Sequence, residues 1–375
     1  MSDFTISALS ARAINSFNKL YAYVIVNDWL LSLILGLVVI FSGVAMGFEN
    51  NQIVIPNPLK LSHYTLEPGN ALSFLAGWDG VRYISIAIHG YNDAFVTGFF
   101  PLYPLLASIL HLIISSPLDS ALIISWASFI GAIYFYLKII KRFFHIKDNA
   151  AALKAVLLFV LFPSAMYMIA AYSESLFALF ALGGIYYALE RKYLKAGLMT
   201  MFATAARING IFIVLFMALI LFEEREKIIN IFKASILGSL GAIFYMIYLY
   251  ITRKNPLLFI KAQETHHWLQ SSLITKLGSF GWVDYVFALA ILWTVIYWWN
   301  KRRSFSIFTS LFLLIPLIGG QFGGYPRYVL MAFPLQFMLF DFFKDRKIGY
   351  TVILIIFSMA WTYTLLQFAA GYIIS

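Results

Sequence analysis

Two carboxylates stand in one polar stretch of this chain, Asp79 and Asp93 within AGWDGVRYISIAIHGYNDAFVTGFFPLYP (76–104). A carboxylate held near a substrate hydroxyl can take its proton as a general base, or can orient the substrate through hydrogen bonds. Between Val81 and Ile88, the spacing of Ile84, Ala87 and Ile88 against Arg82, Ser85 and His89 suits a short amphipathic helix on a membrane surface. Asp79 then sits at the helix N-terminus, where the macrodipole favours its ionised form. That leaves two readings of it, a catalytic or substrate-orienting base and a helix cap. Trp78 is either part of the site or an interfacial anchor. His89, Tyr91, Asn92 and Asp93 form a second polar knot ten residues on, in which His89 reads as a substrate ligand or a structural residue and Asp93 as a reserve base or a turn residue. FFPLYP is rigid and aromatic, suited to setting the loop geometry or to walling a lipid groove.

Further ionisable groups lie in short connectors where a charge near hydrocarbon is costly. AYSES (171–175) places Tyr172, Ser173 and Glu174 at a helix junction, where Glu174 either binds substrate or is satisfied by an arginine of the same side. ARING (206–210) carries Arg207 and Asn209, and GGYPRY carries Arg327 beside Tyr325. An arginine facing a cavity offers a planar fork of donors to a phosphate, whereas one at an interface snorkels to headgroups. KAQETHHW (261–268) adds Lys261, Glu264, His266 and His267. Glu264 and His267, at i and i+3, supply two metal ligands at most, and without a third no metal is expected.

The elements that position these groups are apolar helices. The chain has 375 residues, 62% hydrophobic and 12% charged, against roughly 25% charged in soluble domains. Runs of this kind cross a hydrocarbon core about 30 Å thick, so the reading is an all-α polytopic membrane protein in contact with the lipid bilayer. Zero cysteines exclude disulfides, thiol catalysis and cysteine-based zinc sites. The net charge of +10 does not mark a nucleic-acid binder, because no soluble stretch is large enough to present a basic face. The N-terminal arm lacks the pattern of a secretory signal and reads as a short cytoplasmic segment.

Eleven apolar segments are expected, near 29–47, 99–116, 119–140, 151–171, 174–190, 197–222, 231–251, 282–300, 305–319, 328–342 and 348–370. Five connectors (138–154, 190–195, 223–233, 300–304 and 341–347) are basic and, with the N-terminal arm, hold most of the 27 lysines and arginines. The positive-inside rule puts them in the cytoplasm and the polar, aromatic connectors, including a first loop over 48–98, outside. That orientation requires 99–116 to lie in the interface or re-enter, and 197–222 to turn back at ARING as a helical hairpin whose tip carries Arg207 and Asn209. Half-crossing helices survive where their backbone is buried in protein or lines a wet cavity. The alternative, with both segments crossing, keeps the overall parity but moves AYSES to the inner side. The whole chain, 1–375, reads as a single membrane domain without the internal repeat of many transporters.

Trp78-Asp79, Ile86-Ala87, His89-Gly90-Tyr91 and Phe99-Phe100-Pro101, followed by Ala171-Tyr172-Ser173-Glu174-Ser175, Ala206-Arg207 with Asn209-Gly210, and Pro326-Arg327-Tyr328, resemble in order the signature of the PIG-V-like mannosyltransferases. The short loops and the placement of Asp93 two residues after Tyr91 resemble a prokaryotic relative. The resemblance implies a GT-C type helical bundle whose first outer loop carries surface helices and an essential acidic residue. It also implies a polyprenyl-phosphate sugar, usually mannose, as donor and a glycan or glycolipid as acceptor, without a cofactor. Asp79 is then the expected base. Arg207 and Arg327, with Lys261 and Arg82 behind them, are the expected phosphate ligands, while Trp78, His89, Tyr91, Tyr172, Glu174, Asn209 and Tyr325 position sugar and acceptor. A multi-pass protein of a prokaryotic cell membrane with an outward site is the expected setting. The rival readings are a transporter or flippase of lipid-linked sugars and a glycan ligase of the same architecture.

Overall fold

The computed structural model describes residues 27–49, 72–265, 281–319 and 325–371; the N-terminal arm, most of the first loop and His266–His267 lie outside them. Among the described residues the fold is all-helical. The helices are α1 (Asp28–Glu49), α2 (Asp79–His89), α3 (Leu102–His111), α4 (Pro117–Phe143), α5 (Asn149–Val160), α6 (Glu174–Leu189), α7 (Tyr193–Ala206), α8 (Gly210–Glu223), α9 (Ile228–Arg253), α10 (Leu258–Thr265), α11 (Trp282–Trp299), α12 (Arg303–Gly319), α13 (Tyr325–Leu330), α14 (Phe333–Phe343) and α15 (Lys347–Ala369). Single turns of 3-10 helix sit at Ser73–Ala76, Phe95–Gly98 and Ala165–Met168.

Five of these helices, α1, α4, α9, α11 and α15, are long and apolar enough to cross a membrane. Their outer faces carry exposed Phe244, Ile247, Leu289, Ile296, Ile355 and Met359, side chains that only lipid can cover over such lengths. The protein is an integral membrane protein. The rest of the expected apolar segments are shorter helices among the described residues. Segment 151–171 stops as a helix at Val160, ahead of Pro163, and 328–342 is split at Ala332, ahead of Pro334. Proline removes a donor and clashes with the preceding turn, so each break leaves backbone groups to satisfy. Side chains pair carbonyls at both breaks: Thr364 Oγ1 donates to Pro163 O at 2.6 Å, Gln336 Nε2 to Leu330 O at 2.9 Å and Trp298 Nε1 to Pro334 O at 2.9 Å.

Two elements bear on the topological conditions read from the charges. α3 has 10 residues, about 15 Å of helix, too short to cross. α7 and α8 form a hairpin that turns at Arg207–Asn209. Its open end lies among the basic connectors, where Arg191 pairs with Glu226, and Arg302 with Glu223 and Glu224. Arg142 with Glu190, Asp28 with Lys138 and Lys141, and Asp341 with Lys301 and Lys344 tie the remaining basic connectors together at that same end.

Small residues let α7 pack against α6 and α9 almost backbone to backbone. A Cβ at Gly241 would stand 2.0 Å from Met201 O, and one at Gly184 2.6 Å from Thr200 Oγ1. Thr204 Oγ1 donates across the gap to Gly238 O at 2.8 Å. Close approach of this kind is what small residues supply between membrane helices. It fixes the hairpin tip, and Arg207 with it.

α2 departs from the expected surface helix on one face. Ser85 is buried along with Gly80, Tyr83, Ile84, Ile86 and Ala87, because the helix is enclosed by its neighbours rather than floating on lipid.

Candidate active site

α2 begins at Asp79 itself, one residue after a sharp turn at Trp78, whose φ of 57° is in the left-handed region. A bulky residue there costs of order 1–3 kcal/mol, so the surroundings must over-determine the turn. Tyr172 does this: its hydroxyl donates to Gly77 O at 2.8 Å and accepts from the Asp79 amide at 3.2 Å. Tyr172 is in turn held by Ser125, whose hydroxyl donates to Tyr172 O. Gly80 completes the fit, since a Cβ there would lie 3.3 Å from Ala171 O.

The Asp79 side chain does not cap the helix. Its Oδ2 accepts from Arg327 Nη1 at 2.8 Å and its Oδ1 faces Arg82 Nη1 at 3.4 Å. Arg327 also meets Glu174, with Nε 3.0 Å from Oε1, and the same Oε1 lies 2.7 Å from Arg207 Nη1. Arg207 Nη1 donates to Ser173 Oγ at 3.0 Å, and Ser173 Oγ shares a hydrogen bond of 2.6 Å with Tyr83 OH. The cluster thus joins α2, the start of α6, the hairpin tip and α13, with three guanidiniums against two carboxylates. Glu174 is fully buried, while Asp79 and Arg327 keep 14% and 16% of their side chains exposed, which leaves the Asp79–Arg327 edge open to a ligand.

Burial alone would raise the Asp79 carboxyl, but Arg327 and Arg82 beside it hold it below the usual carboxylate range. Burial likewise opposes the charge on Arg207 and Arg327, but Glu174 together with Tyr83 at Arg207, and Glu174 together with Asp79 at Arg327, outweighs it, so each guanidinium is held more firmly protonated. The Arg327 guanidinium lies 5.2 Å from the ring centroids of both Tyr167 and Tyr172, a cation–π cradle that keeps it in place.

Five polar atoms in this region are buried with no hydrogen-bond partner, namely Trp78 Nε1, both oxygens of Glu174, Ser175 Oγ and Arg327 Nε, of which Glu174 Oε1 and Arg327 Nε face each other as an ion pair. Buried polar groups are normally paired, so these atoms are available to a ligand or to water.

Asp79, Arg82, Tyr172, Glu174, Arg207 and Arg327 are therefore brought together, and Trp78 and Asn209 adjoin them in sequence. His89 and Asp93 are not. Both are exposed, and Asp93 Oδ1 accepts from the Phe95 amide at 3.3 Å, as a turn residue does. Tyr91 donates to Phe99 O at 2.7 Å and its ring packs against Tyr245 and Tyr248, so it holds the 90–100 loop against α9. Phe99 and Phe100 point into the protein, which makes FFPLYP a determinant of loop shape. Lys261 is exposed on α10, which packs on the 95–98 turn. Tyr325 is buried, its hydroxyl donating to Phe312 O at 3.3 Å.

Tyr83 and Ser173, joined to each other within the cluster, were not among the expected site residues. Tyr83 lies one helical turn after Asp79, and Ser173 within AYSES, so both had a signal in spacing. Asp284 is concealed inside the apolar run of α11; its Oδ2 accepts from the Gly281 amide at 3.1 Å, and its buried Oδ1 has no hydrogen-bond partner.

No curated protein and no solved structure matches the chain. The family described as Mannosyltransferase (PIG-V) matches over residues 31–236, a stretch that contains Asp79, Tyr172, Glu174 and Arg207. With more than half of its length matched, the chain belongs to the PIG-V mannosyltransferase family and is a membrane glycosyltransferase.

Proposed function

We propose that the protein moves a sugar, mannose by its family, from a polyprenyl-phosphate donor to a hydroxyl of a glycan or glycolipid at the outer face of a prokaryotic cell membrane. One observation carries this reading: Asp79, Glu174, Arg207 and Arg327 meet in one cluster at the end of the bundle opposite the basic connectors. By the positive-inside rule that end faces outward. A lipid-borne donor reaches such a site from within the bilayer, where its prenyl chain stays.

In the transfer, the acceptor oxygen attacks the anomeric carbon as its proton passes to Asp79. The bond between that carbon and the phosphate oxygen breaks, and polyprenyl phosphate leaves with the electron pair. A β-linked donor gives an α-glycoside by this single displacement. Negative charge grows on the departing phosphate, and Arg207 and Arg327 are placed to stabilise it in a site of low dielectric. Arg82, within reach of Asp79, shares that role. Trp78 Nε1, a buried donor without a partner, is available to a sugar hydroxyl. Tyr172 holds Asp79 in position.

The experiment is transfer of labelled mannose from polyprenyl-phosphate mannose by the purified enzyme. The acceptor source is the glycan and glycolipid fraction of cells from which the gene is deleted. Label appearing in an α-linked product supports the reading. A product labelled only from a nucleotide sugar, or no transfer from the lipid donor, overturns it.

A further inference from the structure

Both oxygens of Asp79 are engaged by guanidinium groups, Oδ2 by Arg327 Nη1 at 2.8 Å and Oδ1 by Arg82 Nη1 at 3.4 Å. A carboxylate so occupied is a weak proton acceptor, because protonating it means giving up two favourable charge contacts. The resting geometry is therefore not the one in which Asp79 takes a proton. Something has to draw a guanidinium away from it.

Glu174 decides which one moves. Its Oε1 touches Arg327 Nε at 3.0 Å and Arg207 Nη1 at 2.7 Å, on a side chain with 1% exposure. Those two contacts are close ion pairs without hydrogen-bond alignment, and Oε2 has no partner. Pulling an arginine off a buried carboxylate leaves an uncompensated charge, which is strongly unfavourable. Arg327 is thus held at its Nε by the buried acid and at its Nη1 by the exposed one. The Nη1 end is the one a ligand reaches.

We infer that Glu174 is a positioning residue on which Arg327 pivots: its Nε stays with Glu174 while its Nη1 passes from Asp79 to the phosphate of the donor, so that donor binding releases Asp79 to act as base. This rests on the proposed transfer from a lipid phosphate. It deepens that reading by fixing an order, donor before acceptor. It also separates two carboxylates that look alike in sequence, since Asp79 exchanges its partner and Glu174 keeps both of its own. The exchange is one of contacts only, with no bond made or broken. Three arginines against two carboxylates leave one positive charge over, which suits the single negative charge of a phosphodiester.

The test follows the protonation of Asp79 in the full-length protein in detergent. The groups facing Asp79 are Arg82 on α2, Arg327 on α13, Arg207 at the hairpin tip, Glu174 and Tyr172 at the start of α6, and Tyr83 and Tyr167 around them. Infrared difference spectra across a pH series, with Asp79→Asn identifying the Asp79 band, report its titration with and without polyprenyl-phosphate mannose. The expected result is a rise of at least about one unit on donor binding, equivalent to a tenfold weaker hold on the ionised form. In Glu174→Gln, which loses the pivot, the rise falls to less than about half of that. Glu174→Asp, which keeps the charge, restores it in part and serves if the glutamine variant does not fold. A donor that binds while Asp79 titrates unchanged, or a rise equal in Glu174→Gln, overturns the pivot and leaves the proposed function standing. Failure of the wild-type protein to bind the donor at all overturns both.

Discussion

Arg327 Nη1 lies 2.8 Å from Asp79 Oδ2 across 248 residues of sequence, and this contact joins the first described loop of the protein to one of its last helices. It places a carboxylate and a guanidinium side by side, each with a small part of its side chain exposed. Glu174 and Arg207 extend the same cluster inward, so the charges are stabilised by each other rather than by water. The consequences can be measured residue by residue.

Replacing either arginine removes donors for the lipid phosphate. Charge-assisted hydrogen bonds contribute about 1.5–3 kcal/mol each, so Arg207→Lys and Arg327→Lys are expected to weaken donor binding by about ten- to a hundred-fold. Titration with polyprenyl-phosphate mannose checks this. Donor affinity unchanged in both variants would remove the phosphate clamp.

Tyr172→Phe deletes one hydroxyl that serves both Gly77 O and the Asp79 amide. A buried carbonyl left without its donor costs about 1–3 kcal/mol. The strained Trp78 turn then loses its brace, and the expected outcome is a several-fold lower kcat with donor affinity unchanged. Steady-state kinetics separates the two parameters, and equal losses in binding and turnover would assign Tyr172 to the substrate instead.

Gly241→Ala tests the support beneath Arg207. Its Cβ would stand 2.0 Å from Met201 O, a backbone atom that cannot step aside without moving α7. Overpacking of this kind costs about 1–3 kcal/mol or more. Thermal unfolding in detergent should show a clear loss of stability with activity falling alongside, whereas Gly90→Ala, where nothing lies within 4 Å, should carry the backbone strain of its positive φ and no clash with α7.

Stability should respond to acid through Asp79. Its folded carboxyl is held below the value of about 3.9 that an unfolded chain has. The carboxylate therefore stabilises the fold above about pH 4, and that contribution disappears as pH falls through the lower folded value. The wild-type melting temperature should drop more steeply below pH 4 than that of Asp79→Asn. Parallel curves would mean that Asp79 is not held by its arginines.

Much of the fold was legible because hydrophobic runs and basic connectors follow simple energetic rules. The hairpin at 207–209 followed from charge, because basic connectors on both sides of 197–222 can share one face only if the segment turns back. The breaks ahead of Pro163 and Pro334 were harder, because whether a proline ends a membrane helix depends on partners such as Thr364 and Trp298 that lie far along the chain. In the site, residue types identified the charged members, yet which arginine meets which carboxylate is a tertiary fact. Asp79, Glu174 and Arg327 are separated by whole helices, and no spacing encodes their pairing. Asp93 and His89 illustrate the converse. They share a loop with Asp79, but the 90–100 segment is pinned to α9 through Tyr91 and Tyr245 and keeps them exposed at the rim.

The central claim is that Asp79 takes the acceptor proton, and turnover of Asp79→Asn is its most direct measurement. General-base catalysis contributes about 10²–10⁴-fold. Folded Asp79→Asn protein should bind polyprenyl-phosphate mannose yet transfer mannose at least about a hundred-fold more slowly, while Asp93→Asn stays within about two-fold of the wild type. Near wild-type transfer by Asp79→Asn would contradict the assignment, and a matching loss in Asp93→Asn would move the base to that residue.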